Sequence, residues 1–406
     1  MPDNNKQNDQ AASGDSANTL DELVYGNTQD VYPKEPVAFE IECIERDGQA
    51  TEYFRHHGAT TLEHAFTVAN ILHRNQKPFE AACIYGLAFR IHSKNQGEYP
   101  LPQALMQVRL LCFLKAGKEL PEYDLQMLAG LCRPYANYIE SIRSAWRGGD
   151  GRQALLHMGN AFEEFLSGEE IDWLYLEIAR KIHPSLFNSD APKTADEKLI
   201  PKKLFMYWDK NPPEEIVENL YFHQGIPDME IKLFNQEEGA EWLYQYYGTE
   251  ARELFLSMRH PAEAADFLRV HVTNLYGGWW LDADARIKNE DALNFMLNQQ
   301  DDVVLFLTKN HVVHNDFYGT VAKSDVMEEC LRILYNNSYK HKHLYIAYKT
   351  GPGIFNRALS RTAFRSLEGI NEGERVKLYD QEKFEEVIQQ IDAPYKSRLP
   401  LWQAMG

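Results

Sequence analysis

Residues 261–287 read PAEAADFLRVHVTNLYGGWWLDADARI, and this stretch holds most of the functional information in the sequence. Its apolar spacing predicts a helix that carries Asp266 and Arg269, ended by a glycine pair and followed by a short apolar strand that delivers Asp282 and Asp284. Side chains two apart on a strand point to the same face, so we expect both carboxylates to face one space. Two carboxylates at this spacing suit a divalent cation with hard oxygen ligands and an anionic substrate.

The composition limits the class of protein and its partners. The chain has 406 residues, enough for two domains with full cores. Its 44% hydrophobic and 25% charged residues are typical of a soluble globular protein. With 42 Lys and Arg against 60 Asp and Glu, the formal net charge is −18, opposite in sign to that of a protein that binds a phosphate backbone. We therefore expect no nucleic-acid partner.

The cysteines and the first residues bear on the compartment. The five cysteines are scattered and form no Cys-x-x-Cys pair, which argues against a disulfide framework or a zinc site and indicates a reducing compartment. The N-terminus lacks the basic and apolar regions of a secretory signal. No apolar run approaches the roughly 20 residues of a membrane-spanning helix. We expect a cytoplasmic protein; peripheral association with a membrane and export without a classical signal are the alternatives.

The first half of the chain predicts a helical domain behind a polar tail. Residues 1–35 are rich in Asn, Gln, Asp, Ser and Gly, so we expect a disordered tail. Residues 36–190 show helical periodicity, for example the stripe of Ala65, Ala69 and Leu72, and the helices follow one another in pairs. The pairs resemble a short, irregular tetratricopeptide-type array, and a plain helical bundle is the alternative. Either domain would serve for docking or scaffolding, so we expect a protein partner there.

The second half predicts an α/β domain over residues 197–406, after a polar linker at 188–196. Predicted strands alternate with predicted helices, which indicates a mostly parallel sheet covered on both faces. Ligands bind such sheets at the carboxyl ends of the strands, where Asp282 and Asp284 lie. The predicted strands are Leu204–Trp208, Glu230–Phe234, Trp279–Ile287 and Val303–Thr308, and the predicted helices are Glu214–Phe222, Glu237–Tyr247, Pro261–Tyr276 and Asp291–Asn298.

Three stretches of this second half carry a resemblance to a known family. They are Ile200–Trp208, an opening strand that ends in Trp; Ala265–Asp284, with Asp-x-x-Arg, Gly-Gly and Asp-x-Asp; and Thr350–Gly353, a Thr-Gly-Pro turn. Residues 201 to about 356 thereby resemble the sugar-binding glycosyltransferases with an Asp-x-Asp motif. That family includes yeast-type mannosyltransferases, α-galactosyltransferases and, more distantly, the large clostridial glucosylating toxins. The resemblance implies a GT-A-like (Rossmann-like) fold.

The resemblance also implies roles for individual residues. Asp284 would bind Mn²⁺ or Mg²⁺ directly, and Asp282 would either bind the metal through a water molecule or contact the ribose. From the residues alone, the alternative is that the pair forms a solvated strand end or a helix cap. Asp266 and Arg269 would contact the sugar of the donor, with a plain ion pair as the alternative. Trp208 would stack on the base, with packing in the core as the alternative. The aromatic residue before the motif, Trp280, is also placed at the donor site, although the family usually has Tyr there.

Weaker candidates lie outside these motifs. Asn315 and Asp316 could reach the acceptor or the metal. The neighbouring His311 and His314 have ligand-like spacing, but we expect solvated loop side chains rather than a zinc site. A third group, in the C-terminal segment, would close over the diphosphate or form an ordinary extension; it consists of Lys396, Arg398 and Trp402. The His-rich segment that often precedes the final Trp in this family is missing.

Together these features predict a metal-dependent hexosyltransferase. It would move a sugar from a UDP- or GDP-sugar to a glycan or protein acceptor, with retention and an α-linked product as the family implies. A glycan of surface-polysaccharide assembly is the expected acceptor. The alternative is a helical-repeat adaptor that carries an inactive glycosyltransferase domain.

Overall fold

The computed structural model describes residues 33–92, 97–187, 199–370, 374–391 and 394. The chain divides into two compact units, residues 1–149 and 150–406. Most of the predicted tail and the whole of the predicted linker lie outside the described residues, as do the C-terminal residues Lys396, Arg398 and Trp402. The boundary between the units falls well before the linker predicted at 188–196.

The described part of the first unit is helical. Its helices are α1 (Ala38–Glu45), α2 (Gly48–His57), α3 (Leu62–Arg74), α4 (Pro78–Ile91), α5 (Pro102–Lys115), α6 (Glu122–Leu131) and α7 (Arg133–Trp146). The predicted stripe of Ala65, Ala69 and Leu72 is fully buried. On α4, a Cβ added to Gly86 would come within 2.5 Å of the Arg109 guanidinium, so this small residue makes room for a buried arginine.

The second unit begins with two helices that the sequence placed in the helical domain, α8 (Gly151–Met158) and α9 (Glu170–Ile182). Within this unit, Asp172 on α9 forms a buried ion pair of 2.8 Å with Arg357. The helix predicted from Ala154 to Phe165 ends earlier, at Met158, because Gly159 has a φ of +56°. A short 3₁₀ turn follows at Ala161–Glu164.

A six-stranded sheet forms the centre of the second unit, and the predicted α/β class with a mostly parallel sheet is confirmed. The six strands are β1 (Lys203–Tyr207), β2 (Glu230–Phe234), β3 (Gly278–Leu281), β5 (Val303–Phe306), β6 (Phe317–Thr320) and β7 (Val376–Tyr379). Their order in the sheet is β2-β1-β3-β6-β5-β7. Strand β6 runs antiparallel to both of its neighbours, and the other neighbouring strands run parallel to each other. The segments that follow β1, β3 and β5 therefore leave the sheet at the same edge.

Helices alternate with these strands and cover the sheet. They are α10 (Glu214–Gln224), α11 (Gln236–Tyr247), α12 (Thr249–Leu256), α13 (Pro261–Tyr276), α14 (Glu290–Leu297), α15 (Asp325–Lys340), α16 (Ile346–Lys349), α17 (Pro352–Leu367) and α18 (Gln381–Val387). Helix α13 and strand β2 have the predicted bounds. None of the described helices is long and apolar enough to cross a membrane.

The glycine pair between α13 and β3 is required by both conformation and space. Gly277 has a φ of +64° and Gly278 a φ of +107°. A Cβ on Gly277 would lie 2.6 Å from the Ala322 nitrogen, and one on Gly278 would lie 2.8 Å from the Lys203 oxygen. Only glycine fits both positions, so α13 turns directly into the central strand β3.

The single strand predicted over Trp279–Ile287 is wrong. Strand β3 ends at Leu281, and β4 (Ala285–Ile287) pairs with β8 (Ile388–Gln390) in a separate two-stranded sheet. Between them the Ala285 amide donates to the Asp282 carbonyl at 3.0 Å, which closes a turn. Asp282 and Asp284 are therefore held by a turn, and strand alternation does not explain where their side chains point.

Candidate functional site

The candidate site lies at the sheet edge where β1, β3 and β5 end. The turn 282–284 follows β3, and the segment 307–316 follows β5. These two segments are joined because the Asp282 amide donates to the Asp316 carbonyl at 2.8 Å. The structure thus brings the predicted motif residues and the weaker candidates Asn315 and Asp316 to one place.

Arg269 connects the two acidic motifs. Its guanidinium group lies 3.1 Å from the Asp266 carboxylate and 3.0 Å from the Asp282 carboxylate. It also donates to the Asn315 carbonyl, and only 2% of the residue is exposed. The buried Arg269 guanidinium therefore partly neutralises both carboxylates and links α13 to the turn after β3.

Asp266 is held on both carboxylate oxygens. One accepts from the Asn315 side-chain amide at 2.8 Å and the other accepts from the Thr350 hydroxyl at 3.1 Å. Burial is the largest influence on the pKa of Asp266, which rises to about 6, while the charge of Arg269 opposes the rise. There is little room beside the glycine after Thr350, since a Cβ on Gly351 would lie 3.0 Å from Ala347 Cα and 3.3 Å from the Asp266 carboxylate.

Asp282 lies nearer the surface, with 29% of its side chain exposed. Its carboxylate accepts from the indole nitrogen of Trp280 at 2.8 Å. Burial again has the largest effect on its pKa, which rises to about 7; Arg269 opposes the rise, and the charges of Asp284 and Asp316 add to it. A second positive charge at this place would favour the ionised form of Asp282.

Asp284 is half-buried in the turn, and its carbonyl accepts from the Ile391 amide at 3.2 Å. Among the described residues, no group of three or more His, Cys, Asp or Glu side chains could hold a metal ion by itself. The carboxylates of Asp282, Asp284 and Asp316 are nevertheless all-oxygen donors, which is the ligand type of Mg²⁺ and Mn²⁺. Mg²⁺ is commonly held by one or two carboxylates together with substrate phosphates, and this donor set fits that arrangement.

The two predicted donor-site tryptophans have different surroundings. Trp280 is fully buried, with the Arg269 guanidinium 5.2 Å from its ring centroid, so it reaches the site through its bond to Asp282. Trp208 is half-buried and follows β1 at the same sheet edge, with its indole nitrogen donating to the Lys210 carbonyl at 3.1 Å. Trp208 also packs against the core beneath the sheet.

His314 is held in place, contrary to the expectation of a solvated loop side chain. Its ring stacks on Phe384 at 3.8 Å between centroids. One ring nitrogen lies 3.2 Å from the Asp316 carboxylate and the other 2.8 Å from the Gln381 side-chain oxygen. Burial lowers its pKa, but the bond to Asp316 and the charge of Asp316 outweigh burial, and the pKa is raised. His311, in the same segment, has a φ of +58° and its carbonyl accepts from the Asn356 side chain at 2.8 Å.

Two residues of the site were not identified from the sequence. Thr350 stands in the Thr-Gly-Pro stretch, so a signal existed, but nothing in that stretch indicates that its hydroxyl reaches Asp266. Asn219 lies on α10, far along the chain from the motif, and its side-chain amide contacts the Asp284 turn. No local pattern distinguishes this Asn from an ordinary buried polar residue of a helix.

Comparison with solved structures finds a structural neighbour of this chain. No family model matches the chain, and no curated protein matches it. The chain is similar to the solved structure of PaToxG Glycosyltransferase, with 16% sequence identity and a TM-score of 0.34. The match covers 49% of this chain and 87% of that chain.

Proposed function

We propose that the second unit is a glycosyltransferase that uses a nucleotide sugar and a divalent cation. The observation that carries this proposal is the acidic turn 282–284 at the edge of a mostly parallel sheet, joined through Arg269 to Asp266. A GT-A-like arrangement of the sheet is part of the proposal. So is a tetratricopeptide-like character of the first unit, which would dock the acceptor or a partner protein.

The cation would be held by Asp284 directly and by Asp282 through water, with the diphosphate of the donor completing its ligands. When bound, Mn²⁺ or Mg²⁺ would supply Lewis-acid stabilisation to the departing nucleoside diphosphate. The raised pKa of Asp282 supports a cation at this position. Burial disfavours the ionised form of Asp282 more than Arg269 favours it, and the charges of Asp284 and Asp316 add to the effect of burial.

Asp266 and Arg269 would orient the sugar of the donor. Asp266 is fixed by Asn315 and Thr350, so its carboxylate is preorganised and loses little side-chain freedom when it accepts from a sugar hydroxyl. Trp208, half-buried at the same edge, would stack on the base of a UDP- or GDP-sugar. The buried Trp280 would position Asp282 rather than contact the donor.

The remaining parts of the proposal rest on the family resemblance alone. They are retention with an α-linked product, a glycan or protein acceptor and a place in polysaccharide assembly. A cytoplasmic location is proposed instead from the five scattered cysteines, which form no Cys-x-x-Cys pair. We assign no nucleophile, because retaining transferases of this type need not use one.

A donor-hydrolysis screen tests the proposal without knowledge of the acceptor. UDP- and GDP-sugars are incubated with the full chain in Mn²⁺ or Mg²⁺, and release of the nucleoside diphosphate is measured. We expect release from at least one donor and its loss in Asp284→Asn, with retained secondary structure. The control is Asp291→Asn, which removes an exposed acid from the first turn of α14 and leaves hydrolysis unchanged. Hydrolysis near the wild-type rate in Asp284→Asn would contradict the proposal.

One observation favours the adaptor alternative. The Arg269 guanidinium already lies 3.0 Å from Asp282, so an internal cation partly neutralises the acidic turn. If the domain is inactive, titration with nucleotide sugars gives no heat that depends on Mn²⁺ for any donor. Metal-dependent heat with one donor would rule this alternative out.

A further inference from the structure

One buried side chain, the amide of Asn219, is hydrogen-bonded to the backbone of the Asp284 turn. Asn219 on α10 is fully buried, and its side-chain nitrogen donates to the Ala283 carbonyl at 2.9 Å and to the Ala285 carbonyl at 2.7 Å. These two carbonyls belong to the residues on either side of Asp284. The side-chain oxygen of Asn219 accepts from Arg286 Nε at 2.8 Å. Three of the hydrogen bonds that an amide side chain can make are therefore directed at residues 283–286.

A second residue of α10 continues the same contact. The ring of His223 is buried, with Nδ1 2.8 Å from the Asn219 carbonyl and Nε2 3.3 Å from the Ile287 amide. Burial lowers the pKa of His223 to about 4, so the ring is neutral at pH 7 and can donate through Nδ1 while it accepts through Nε2. Helix α10 thus fixes the backbone of the turn and of β4 at successive points.

We propose that Asn219 is a positioning residue that sets the orientation of the Asp284 carboxylate for the cation. The inference rests on the proposed function, because it assigns Asn219 to the same cation site. The Ala283 carbonyl belongs to the peptide unit just before Asp284, and the Ala285 carbonyl belongs to the unit just after Ala285. Neither unit can rotate without breaking a buried hydrogen bond to Asn219, so the backbone on each side of Asp284 is fixed. Replacing residues that orient metal ligands typically costs about 10–100-fold in metal affinity.

The test compares Asn219→Ala with a matched control, Asn337→Ala, in the full chain. Asn337 is also buried, and its side-chain nitrogen donates to two successive carbonyls, those of Tyr348 at 3.2 Å and Lys349 at 3.0 Å, away from the Asp284 turn. Mn²⁺ affinity is measured by titration calorimetry in the presence of UDP and, separately, of GDP, and hydrogen exchange is measured in peptides that cover residues 282–287. We expect Asn219→Ala to raise the Mn²⁺ dissociation constant about 10-fold or more and to speed exchange in 282–287. Asn337→Ala should change neither quantity.

The outcomes separate this inference from the proposed function. If the wild type binds Mn²⁺ and Asn219→Ala binds it equally well, the positioning role is overturned and the proposed function stands. If the wild type binds no Mn²⁺ with either UDP or GDP present, the metal-dependent function fails and the positioning role fails with it. Should Asn219→Ala not fold, Arg286→Met removes the donor to the Asn219 oxygen together with the guanidinium that lies 4.4 Å from the Phe222 ring centroid. Weaker Mn²⁺ binding in that variant supports the inference, and unchanged binding overturns it.

Discussion

Replacing Arg269 with Met should destabilise the second unit by an amount that depends strongly on pH. Arg269 neutralises two carboxylates at once, those of Asp266 and Asp282, at 3.1 and 3.0 Å. Removing one partner of a buried ion pair typically costs about 3–5 kcal/mol, since the other charge stays buried without compensation. Because 29% of the Asp282 side chain is exposed, we expect the lower end, about 3 kcal/mol, at pH 8.

The sign of the pH dependence follows from the two carboxyl groups. Their folded-state pKa values, about 6 for Asp266 and about 7 for Asp282, lie above the ordinary value, so the folded state binds protons more readily than the unfolded state. Both carboxyl groups are protonated in the folded state at low pH, and the stability that this protonation provides is lost as the pH rises through these values. Without Arg269 both pKa values rise further. The loss of unfolding free energy in Arg269→Met, relative to the wild type, therefore becomes large only above about pH 6. At pH 5 only the bonds of Arg269 to backbone carbonyls are lost, which costs about 1 kcal/mol.

The measurement is urea unfolding at pH 5 and pH 8, followed by tryptophan fluorescence. Of the seven tryptophans only Trp146 precedes residue 150, so the signal reports mainly on the second unit. Arg332→Met serves as the control, because Arg332 pairs with acids on its own helix while 61% of its side chain is exposed. It should cost less than about 1 kcal/mol at either pH. An equal deficit for Arg269→Met at pH 5 and pH 8 would refute the reasoning.

Three further changes have defined outcomes. Asp282→Asn should raise the free energy of unfolding by about 1–2 kcal/mol at pH 8 and leave it unchanged at pH 5. The reason is that the raised pKa of Asp282 makes its ionisation unfavourable in the folded state. Urea unfolding at both pH values checks this, and a gain in stability at pH 5 would contradict it. Gly277→Ala should lower stability by at least about 2 kcal/mol, since it strains a φ of +64° and places a Cβ 2.6 Å from the Ala322 nitrogen; a melting temperature equal to that of the wild type would disprove the steric argument. Arg109→Met should destabilise the first unit by about 3 kcal/mol, because Arg109 forms an ion pair of 2.8 Å with the fully buried Asp124. Hydrogen exchange in α4–α6 should then be faster than in the wild type. Unchanged exchange there would count against a stabilising role of Arg109.

Local patterns predicted the elements around the site well. Helix α13 and strand β2 have the predicted bounds, because apolar periodicity, a proline start and the glycine pair act within a few residues of one another. The turn after β3 was missed for a reason that is not local. Residues 278–287 have the composition of one strand, but β3 pairs with β6 and β4 pairs with β8, so the chain leaves one sheet and enters another at Asp282.

The partners of the site residues were also beyond local patterns. Asn219 lies 64 residues from Ala283 in the chain, and Thr350 lies 84 residues from Asp266. Spacing identified Asp266 and Arg269 as neighbours on one helix face, which is a property of the helix itself. That Arg269 also bonds Asp282 depends on how α13 and β3 pack together, and no periodicity encodes that packing.

By itself the sequence determined an α/β half with a mostly parallel sheet, a helical first half, and an Asp-x-x-Arg helix joined by two glycines to an Asp-x-Asp segment. These features depend on hydrogen bonds and side-chain spacing within one element, and the amino-acid order specifies both. Tertiary structure alone decided that the chain divides into two units at residue 150 and that the acidic motif forms a turn bonded to Arg269 and Asn219. It also decided that Asn315 and Thr350 hold Asp266. The physical reason is that buried ion pairs and hydrogen bonds join segments far apart in the chain, and these pairings exist only once the whole unit has packed.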